Sequence, residues 1–201
     1  RGLGDVYKRQ RICMAIWLAS GSQRRAVILS SLFADVHSKA LDGVDETPPT
    51  GSVSSQVMSI CKRKAAAVTS DDGFDVIVVA DTMVSDPDDV NVAMGKAADE
   101  LSAASMLKRL SGCRHRVWSA TGIRILGEWE FFVESAVVEV DELTIDDMEN
   151  LIKSGSWKGK AGSYDLAGEM GKHARLVDGD ALAVLGFAPS AIGKIKSYFQ
   201  E

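Results

Sequence analysis

The sequence predicts an α/β protein: a mixed central sheet flanked by helices, with a larger and a smaller lobe separated by a cleft. Three observations predict it. Short β-branched or apolar runs alternate along the chain with segments whose apolar residues recur at helical spacing. Two of those runs lead into charged turns. The apolar residues 12–17 run into Leu18-Ala19-Ser20-Gly21-Ser22-Gln23-Arg24-Arg25, and Val76-Ile77-Val78-Val79-Ala80 stops on Asp81-Thr82. No repeat, low-complexity tract or linker interrupts the pattern.

In chain order, a first strand over residues 13–19 leads through the Ser-Gly-Ser turn into a helix over 24–32. There Val27, Ile28 and Leu32 share roughly one face. Residues 38–54 are polar, carry Asp45-Glu46 and the breaker Pro48-Pro49, and read as loop. A helix over 55–69 follows. Residues 74–80 read as a buried strand bounded by Asp71-Asp72-Gly73. Asp86-Pro87-Asp88-Asp89 is a turn, and Met94-Gly95-Lys96 precedes a helix over 99–110 that Ser111-Gly112 stops. Three strand-like segments come next, 116–121, 123–126 and 130–140, the last partly alternating as a half-exposed antiparallel strand does. Thr144 and Asp147 form a capping box at a helix start, and that helix stops near Ser154-Gly155. A glycine-rich loop over 159–171 precedes short strands at 174–177 and 182–185, then a last helix from Ser190.

Composition narrows the class. With 46% hydrophobic and 25% charged residues, the chain has the make-up of a soluble globular protein. A formal charge of −5 gives no general attraction to nucleic acid, so any polyanion site is a local basic cluster. Cys13, Cys61 and Cys113 are scattered and odd in number, which reads as free thiols in a reducing cytoplasm. No stretch approaches the roughly 20 apolar residues of a membrane span. Residues 1–10 are basic and without periodicity. They are expected to be foreign to the fold, with Met14 a candidate start and residues 11–201 forming one domain.

The two turns point to phosphate chemistry. A strand ending in small residues and then two arginines places guanidinium forks and free backbone N–H groups where a helix begins, which is a site for phosphate. Ser20, Ser22, Arg24 and Arg25 are its candidates. A carboxylate at the end of an apolar strand is costly unless it is paired or binds metal. Asp81 is therefore the leading catalytic candidate, as a ligand to a hard cation or as a base that takes a proton from water. An Asp there can also cap a following turn. Glu46 is a candidate second ligand or base, although an acid in a polar loop is ordinarily just solvated. Lys96 and Lys160 sit beside glycines that let the backbone approach a ligand. Lys64, on a helix beside Lys62, reads by itself as a solvated surface charge. His115, between two arginines, reads as structural. No Gly-x-Ser-x-Gly elbow surrounds Ser20 or Ser22, and Gly168 to Gly171 is not followed by Lys-Ser/Thr, so neither a serine nucleophile nor a P-loop is indicated.

Taken in order, the motifs resemble the Maf family of nucleoside triphosphate pyrophosphatases, whose fold is shared with inosine triphosphatases. The matching pieces are residues 18–25, Asp45-Glu46, Lys62-Arg63-Lys64-Ala65, Ala80-Asp81-Thr82, Gly95-Lys96, Leu110-Ser111-Gly112 with His115 and Val117, Lys160-Ala161-Gly162-Ser163-Tyr164, and Asp178-Gly179-Asp180. The resemblance implies an inosine-triphosphatase-like fold and a homodimer. It also implies hydrolysis between the α- and β-phosphates of non-standard or surplus nucleotides with Mg²⁺ or Mn²⁺. Asp81 matches the family's catalytic acid, with Glu46 beside it for metal and water. Lys64, Lys96 and Lys160 join the arginines on phosphate charge, and Arg24, Thr82 and Ala167 fall where the family discriminates substrates. Two departures stand out: Gln23 replaces the usual proline before the arginines, and Ala167 stands where members acting on thymidine and uridine triphosphates carry glutamine. The family's link to septum formation leaves a rival reading, a non-catalytic nucleotide-binding regulator of division. Such a regulator would need the arginines but neither Asp81 nor metal.

Overall fold

A computed structural model of the chain describes residues 14–70 and 73–200. The expected tail over 1–10, Cys13 and Asp71-Asp72 lie outside the described residues. The strands are β1 (Ile16–Leu18), β2 (Val36–Ser38), β3 (Val76–Ser85), β4 (Ala93–Met94), β5 (Arg114–Ile125), β6 (Glu128–Val140) and β7 (Ala174–Asp178). The helices are α1 (Gln23–Leu32), α2 (Val53–Ala66), α3 (Glu100–Leu110), α4 (Ile145–Ser154), α5 (Ala181–Leu185) and α6 (Pro189–Tyr198). All seven strands form one sheet in the order β2-β1-β3-β5-β6-β7, with β4 also on β3. β1 is parallel to β2 and β3, and the remaining pairs are antiparallel, so the sheet is mixed and flanked by helices as predicted. Among the described residues no helix is long and apolar enough to cross a membrane.

The fold positions the site through a fork in this sheet. β1 pairs with β3 only at residues 76–78, and β4 takes up the same edge only at Val84 and Ser85. Between them, among the described residues, one edge of β3 has no strand partner, and Asp81 and Thr82 lie in that gap. Side chains alternate along the strand. Ile77, Val79 and Met83 pack under Val53, Val57 and Ile60 of α2. Val76, Val78 and Ala80 pack on the other face with Leu29 of α1 and Ile192 and Ile195 of α6. A third cluster joins Val84, Val117 and Val138 to Leu107 and Leu110 of α3 and Leu151 of α4.

Helix starts follow local chemistry. Ser22, Ser52, Asp99 and Thr144 each accept from a backbone N–H in the first turn, and the Thr144–Asp147 capping box forms as predicted. Gly155, at φ 67°, ends α4.

Three expectations are corrected. The strand expected to end on Asp81 continues to Ser85, because Thr82, Met83 and Val84 pair with Ser119, Trp118 and Val117 of β5. Segments 116–121 and 123–126 are one strand running through Gly122. There a Cβ would stand 2.7 Å from the Phe131 ring and 2.9 Å from Val79, so the glycine marks close packing and not a break. Residues 182–185 belong to helix α5, which Asp180 caps through Leu182 N–H and Gly186 closes at φ 117°. A five-residue apolar run has no decisive period, and here the caps settled it.

Candidate active site

A cleft of about 410 Å³ opens at the fork. Because the β3 edge is free there, the cleft reaches both faces of the sheet, and its two ends differ in chemistry. On the α2 face, Lys64 reaches from the helix to the strand. Its Nζ lies 2.8 Å from Asp81 Oδ1, 2.9 Å from Glu46 Oε1 and 3.4 Å from the Ala80 carbonyl. The ammonium's three hydrogens are thus spent on two carboxylates and one edge carbonyl that lacks a strand partner. The side chains of Lys64 and Asp81 are each 11% exposed, whereas that of Glu46 is 46% exposed. Burial opposes ionisation of Glu46, but the Lys64 hydrogen bond and the Lys64 and Lys96 charges outweigh it and hold the carboxyl below its usual range. Lys96 Nζ stands 3.5 Å from Glu46 Oε2. Cys61, buried nearby, has its thiol pushed up to about 12, chiefly by burial with Asp81 adding to it, so it is no thiolate nucleophile.

The N-terminus of α1 lines the cleft through Gly21, Ser22, Gln23 and Arg24. Arg25 turns inward. Its Nε donates to the Gly186 carbonyl (2.9 Å), Nη1 to the Ala80 carbonyl (3.1 Å) and to Ser20 Oγ (3.4 Å), and Nη2 to Thr82 Oγ1 (2.8 Å). A Cβ on Gly186 would sit 2.8 Å from Arg25 Nε, so glycine is required for this approach as well as for its φ of 117°. Arg24 faces the opposite wall, where Asp165 accepts from its Nη1 at 3.1 Å and pairs with Lys160 at 3.3 Å. Burial opposes the Asp165 charge, but Arg24 and Lys160 prevail and hold its carboxyl below the ordinary range. That wall is pinned to the sheet by a bridge between Lys96 and Ala161 and by Gly162 N–H donating to the Gly95 carbonyl at 3.0 Å.

On the other face the lining is apolar: Val84, Val117, Tyr164, Leu166 and Val184, with the Thr82 hydroxyl as a polar point among them. The Tyr164 hydroxyl is tied to His115 Nε2 at 2.7 Å. Burial pushes His115 down to about 4, so at neutral pH the ring is uncharged, in keeping with the structural role expected of it.

Of the residues expected from the sequence, Ser20, Ser22, Arg24, Arg25, Glu46, Lys64, Asp81, Thr82, Lys96 and Lys160 all line this cleft. Two of these, Lys64 and Arg25, stand differently from expectation, and so does Ala167. Lys64, expected on phosphate charge or else as a solvated surface charge, is neither, because its ammonium is buried between two acids. Arg25, expected on phosphate, commits its guanidinium largely to the protein and so holds Thr82 and the strand edge in place. Ala167 is exposed and outside the cleft wall, in a turn whose N–H bonds Asp165, while Leu166 beside it faces in. Sequence reasoning missed Asp165, Lys158 and the apolar end. The signal for Lys158 was available, since Lys158-Gly159-Lys160 repeats the Gly95-Lys96 pairing of cation and glycine. Among the described residues no three His, Cys, Asp or Glu side chains gather around a metal position. Glu46 and Asp81 nonetheless offer two carboxylates facing a cationic cleft. That donor set suits Mg²⁺, which is ordinarily held by one or two carboxylates together with substrate phosphates and water.

A family model for Maf-like proteins matches residues 15–195. The chain belongs to the Maf family. This Maf protein is 33% identical over 175 residues to the dTTP/UTP pyrophosphatase of Ruegeria sp. (strain TM1040), covering 86% of the chain and 88% of that protein. It is 37% identical over 184 residues to the dTTP/UTP pyrophosphatase of Thermococcus gammatolerans, covering 89% and 94% of the two. Among solved structures it is similar to the Ham1 protein of Staphylococcus aureus, with a TM-score of 0.42 and 14% identity over 63% of this Maf chain and 71% of that one.

Proposed function

We propose that this chain is a nucleoside triphosphate pyrophosphatase, cleaving between the α- and β-phosphates to give the monophosphate and pyrophosphate. The observation that carries this reading is the pair Asp81 and Glu46, held by one buried lysine at the mouth of a cleft whose rim is Arg24, Lys96, Lys158 and Lys160. Dephosphorylation chemistry of this kind depends on neutralising phosphate charge and positioning water. The names of the relatives, dTTP/UTP pyrophosphatases, support the same activity and make uridine and thymidine triphosphates the first substrates to try.

The roles follow from position. Arg24, Lys96, Lys158 and Lys160 take the triphosphate charge, and the α1 N-terminus offers its free backbone N–H groups to phosphate oxygens. Glu46 and Asp81 would hold Mg²⁺ or Mn²⁺, which when bound screens the phosphates and favours ionisation of water. Asp81, fixed on a strand, takes the proton of the water that attacks the α-phosphorus, and the bond to the bridging oxygen breaks so that pyrophosphate leaves. Lys64 holds the two carboxylates side by side at the cleft mouth. Arg25 holds the floor of the site and does not touch the reacting atoms.

The test is pyrophosphate release from standard and modified nucleoside triphosphates with Mg²⁺ or Mn²⁺, for the wild type and Asp81→Asn. Removing a general base should lower kcat by about 10²–10⁴-fold while circular dichroism stays native. No release from any nucleotide by the folded wild type, with nucleotide still bound, would instead favour a binding protein.

A further inference from the structure

We infer that Ser119 is a positioning residue that fixes Thr82 as a hydrogen-bond acceptor, so that the apolar end of the cleft selects a nucleobase presenting a ring N–H. This rests on the pyrophosphatase reading and adds to it a specific recognition element.

Thr82 of β3 and Ser119 of β5 are register partners, and their hydroxyl oxygens are 2.9 Å apart. By distance alone either could donate. Ser119, however, is fully buried, and its Oγ lies 2.7 Å from the Ala183 carbonyl of α5. A carbonyl can only accept and a serine hydroxyl has one hydrogen, so Ser119 donates to Ala183 and must accept from Thr82. The proton of Thr82 is therefore spent. On its other side Thr82 Oγ1 accepts from Arg25 Nη2 at 2.8 Å, a donor that cannot be deprotonated in a protein. The chain Arg25 to Thr82 to Ser119 to Ala183 thus has one direction, fixed at one end by a permanent cation and at the other by a backbone oxygen.

A hydroxyl has two lone pairs, so Thr82 keeps one acceptor position and no donor for the cleft. Beyond the Arg25 guanidinium already bonded to it, the cleft at this end is lined by Val84, Val117, Leu166 and Val184, a lining suited to a flat base. Uracil, thymine, guanine and hypoxanthine carry a ring N–H on their pairing edge, and this hydrogen would meet the lone pair. Cytosine and adenine carry a bare ring nitrogen there. Set against Thr82, that nitrogen would oppose lone pair to lone pair, and such a base could satisfy Thr82 only by sliding along its edge to present the neighbouring amino group. Without Ser119, Thr82 could turn its proton to the cleft and serve either kind of base.

The pair UTP and CTP differs at this edge, so the experiment is kcat/KM for both in the wild type, Ser119→Ala, Ser119→Thr, Thr82→Val and the Ser119→Ala/Thr82→Val double variant. The wild type should favour UTP by about tenfold or more, and Ser119→Ala should erase about tenfold of that ratio. Ser119→Thr, which keeps the hydroxyl, should restore the wild-type ratio. Thr82→Val should lose the preference, and adding Ser119→Ala to it should change the ratio no further. A purely structural role for Ser119 would lower both substrates together and leave the ratio alone. A wild-type ratio near one, or an unchanged ratio in Ser119→Ala, overturns the inference. Should Ser119→Ala not fold, an unchanged ratio in Thr82→Val overturns it equally. Equilibrium binding of the α,β-methylene analogues of UTP and CTP separates the two levels. A binding preference without any turnover would sink the pyrophosphatase reading alone, and turnover without a preference would sink only the role of Ser119.

Discussion

Lys64→Met is the most searching perturbation of the candidate site, because methionine keeps the apolar stem of the side chain and removes only its charge. In the wild type Lys64 bonds Asp81 at 2.8 Å and Glu46 at 2.9 Å, with the lysine and aspartate side chains each 11% exposed. Removing one partner of a buried ion pair costs about 3–5 kcal/mol, since the other charge stays behind without compensation. Glu46 is 46% exposed and can turn to water, so its share is discounted and the loss should fall at the low end, about 3 kcal/mol at pH 7. For a protein of this size each kcal/mol moves Tm by about 2–4 °C, so the variant should melt about 6–12 °C lower. Urea and thermal unfolding followed by circular dichroism measure it. The specific signature lies in a second arm. With the ammonium gone, a divalent cation on the two carboxylates no longer shares them with Lys64 and replaces its charge, so millimolar Mn²⁺ should raise the stability of Lys64→Met by more than it raises the wild type. A variant as stable as the wild type, or an equal Mn²⁺ increment in both, would refute the argument that this lysine is what holds the acid pair.

Two further perturbations probe the surroundings of the site. Gly186→Ala places a Cβ 2.8 Å from Arg25 Nε at a φ of 117°, and should cost about 2 kcal/mol while raising KM for the nucleotide through displacement of Arg25. Gly193→Ala in α6, where nothing lies within 4 Å, should be neutral or slightly stabilising, and equal Tm values for the two variants would dismiss the claim. The His115 ring, pushed down to about 4 from an ordinary 6.5, is favoured neutral in the fold. Its contribution is therefore whole above pH 6.5 and is lost as pH falls through 4, a change of about 3 kcal/mol for the full shift. The stability difference between wild type and His115→Gln should shrink by that amount between pH 7.5 and 4. A difference that ignores pH would mean the ring is not buried as a neutral base.

Most features set within a few residues were legible in the sequence, the short helix α5 between Asp180 and Gly186 being an exception, and features set by distant pairing were not. The capping box of Thr144 and Asp147, the stop at Gly155 and the Ser-Gly-Ser turn before Arg24 depend on neighbours three or four positions away, and each stands where the sequence places it. The fork is non-local. Nothing around Asp81 signals that β3 continues, because its continuation depends on pairing with a β5 strand more than thirty residues on. The run Lys62-Arg63-Lys64 reads as three surface charges when taken as composition. Its helical phase says more, for Val57, Ile60 and Cys61 define a buried stripe and Lys64 falls next on it. Asp165 could not have been found, since its partners Arg24 and Lys160 come from a different helix and a different part of the loop. Ala167, by contrast, drew attention as an altered specificity position, yet Leu166 is the residue of that turn that reaches the cleft.

The gap in the β3 edge has a consequence for how such a protein can change. Asp81 and Thr82 are consecutive residues on opposite faces of one strand, so the acid proposed to act on water and the hydroxyl proposed to face the base are separated by a single peptide unit. Their spacing is as rigid as the backbone itself, and shifting the strand by one residue would exchange the two roles outright. Under the proposed roles, drift in substrate preference can come from the Thr82–Ser119 pair or from the 158–166 wall, which closes over the strand from outside the paired core. Chemistry and choice of base are thereby open to separate alteration, although they meet at adjacent residues.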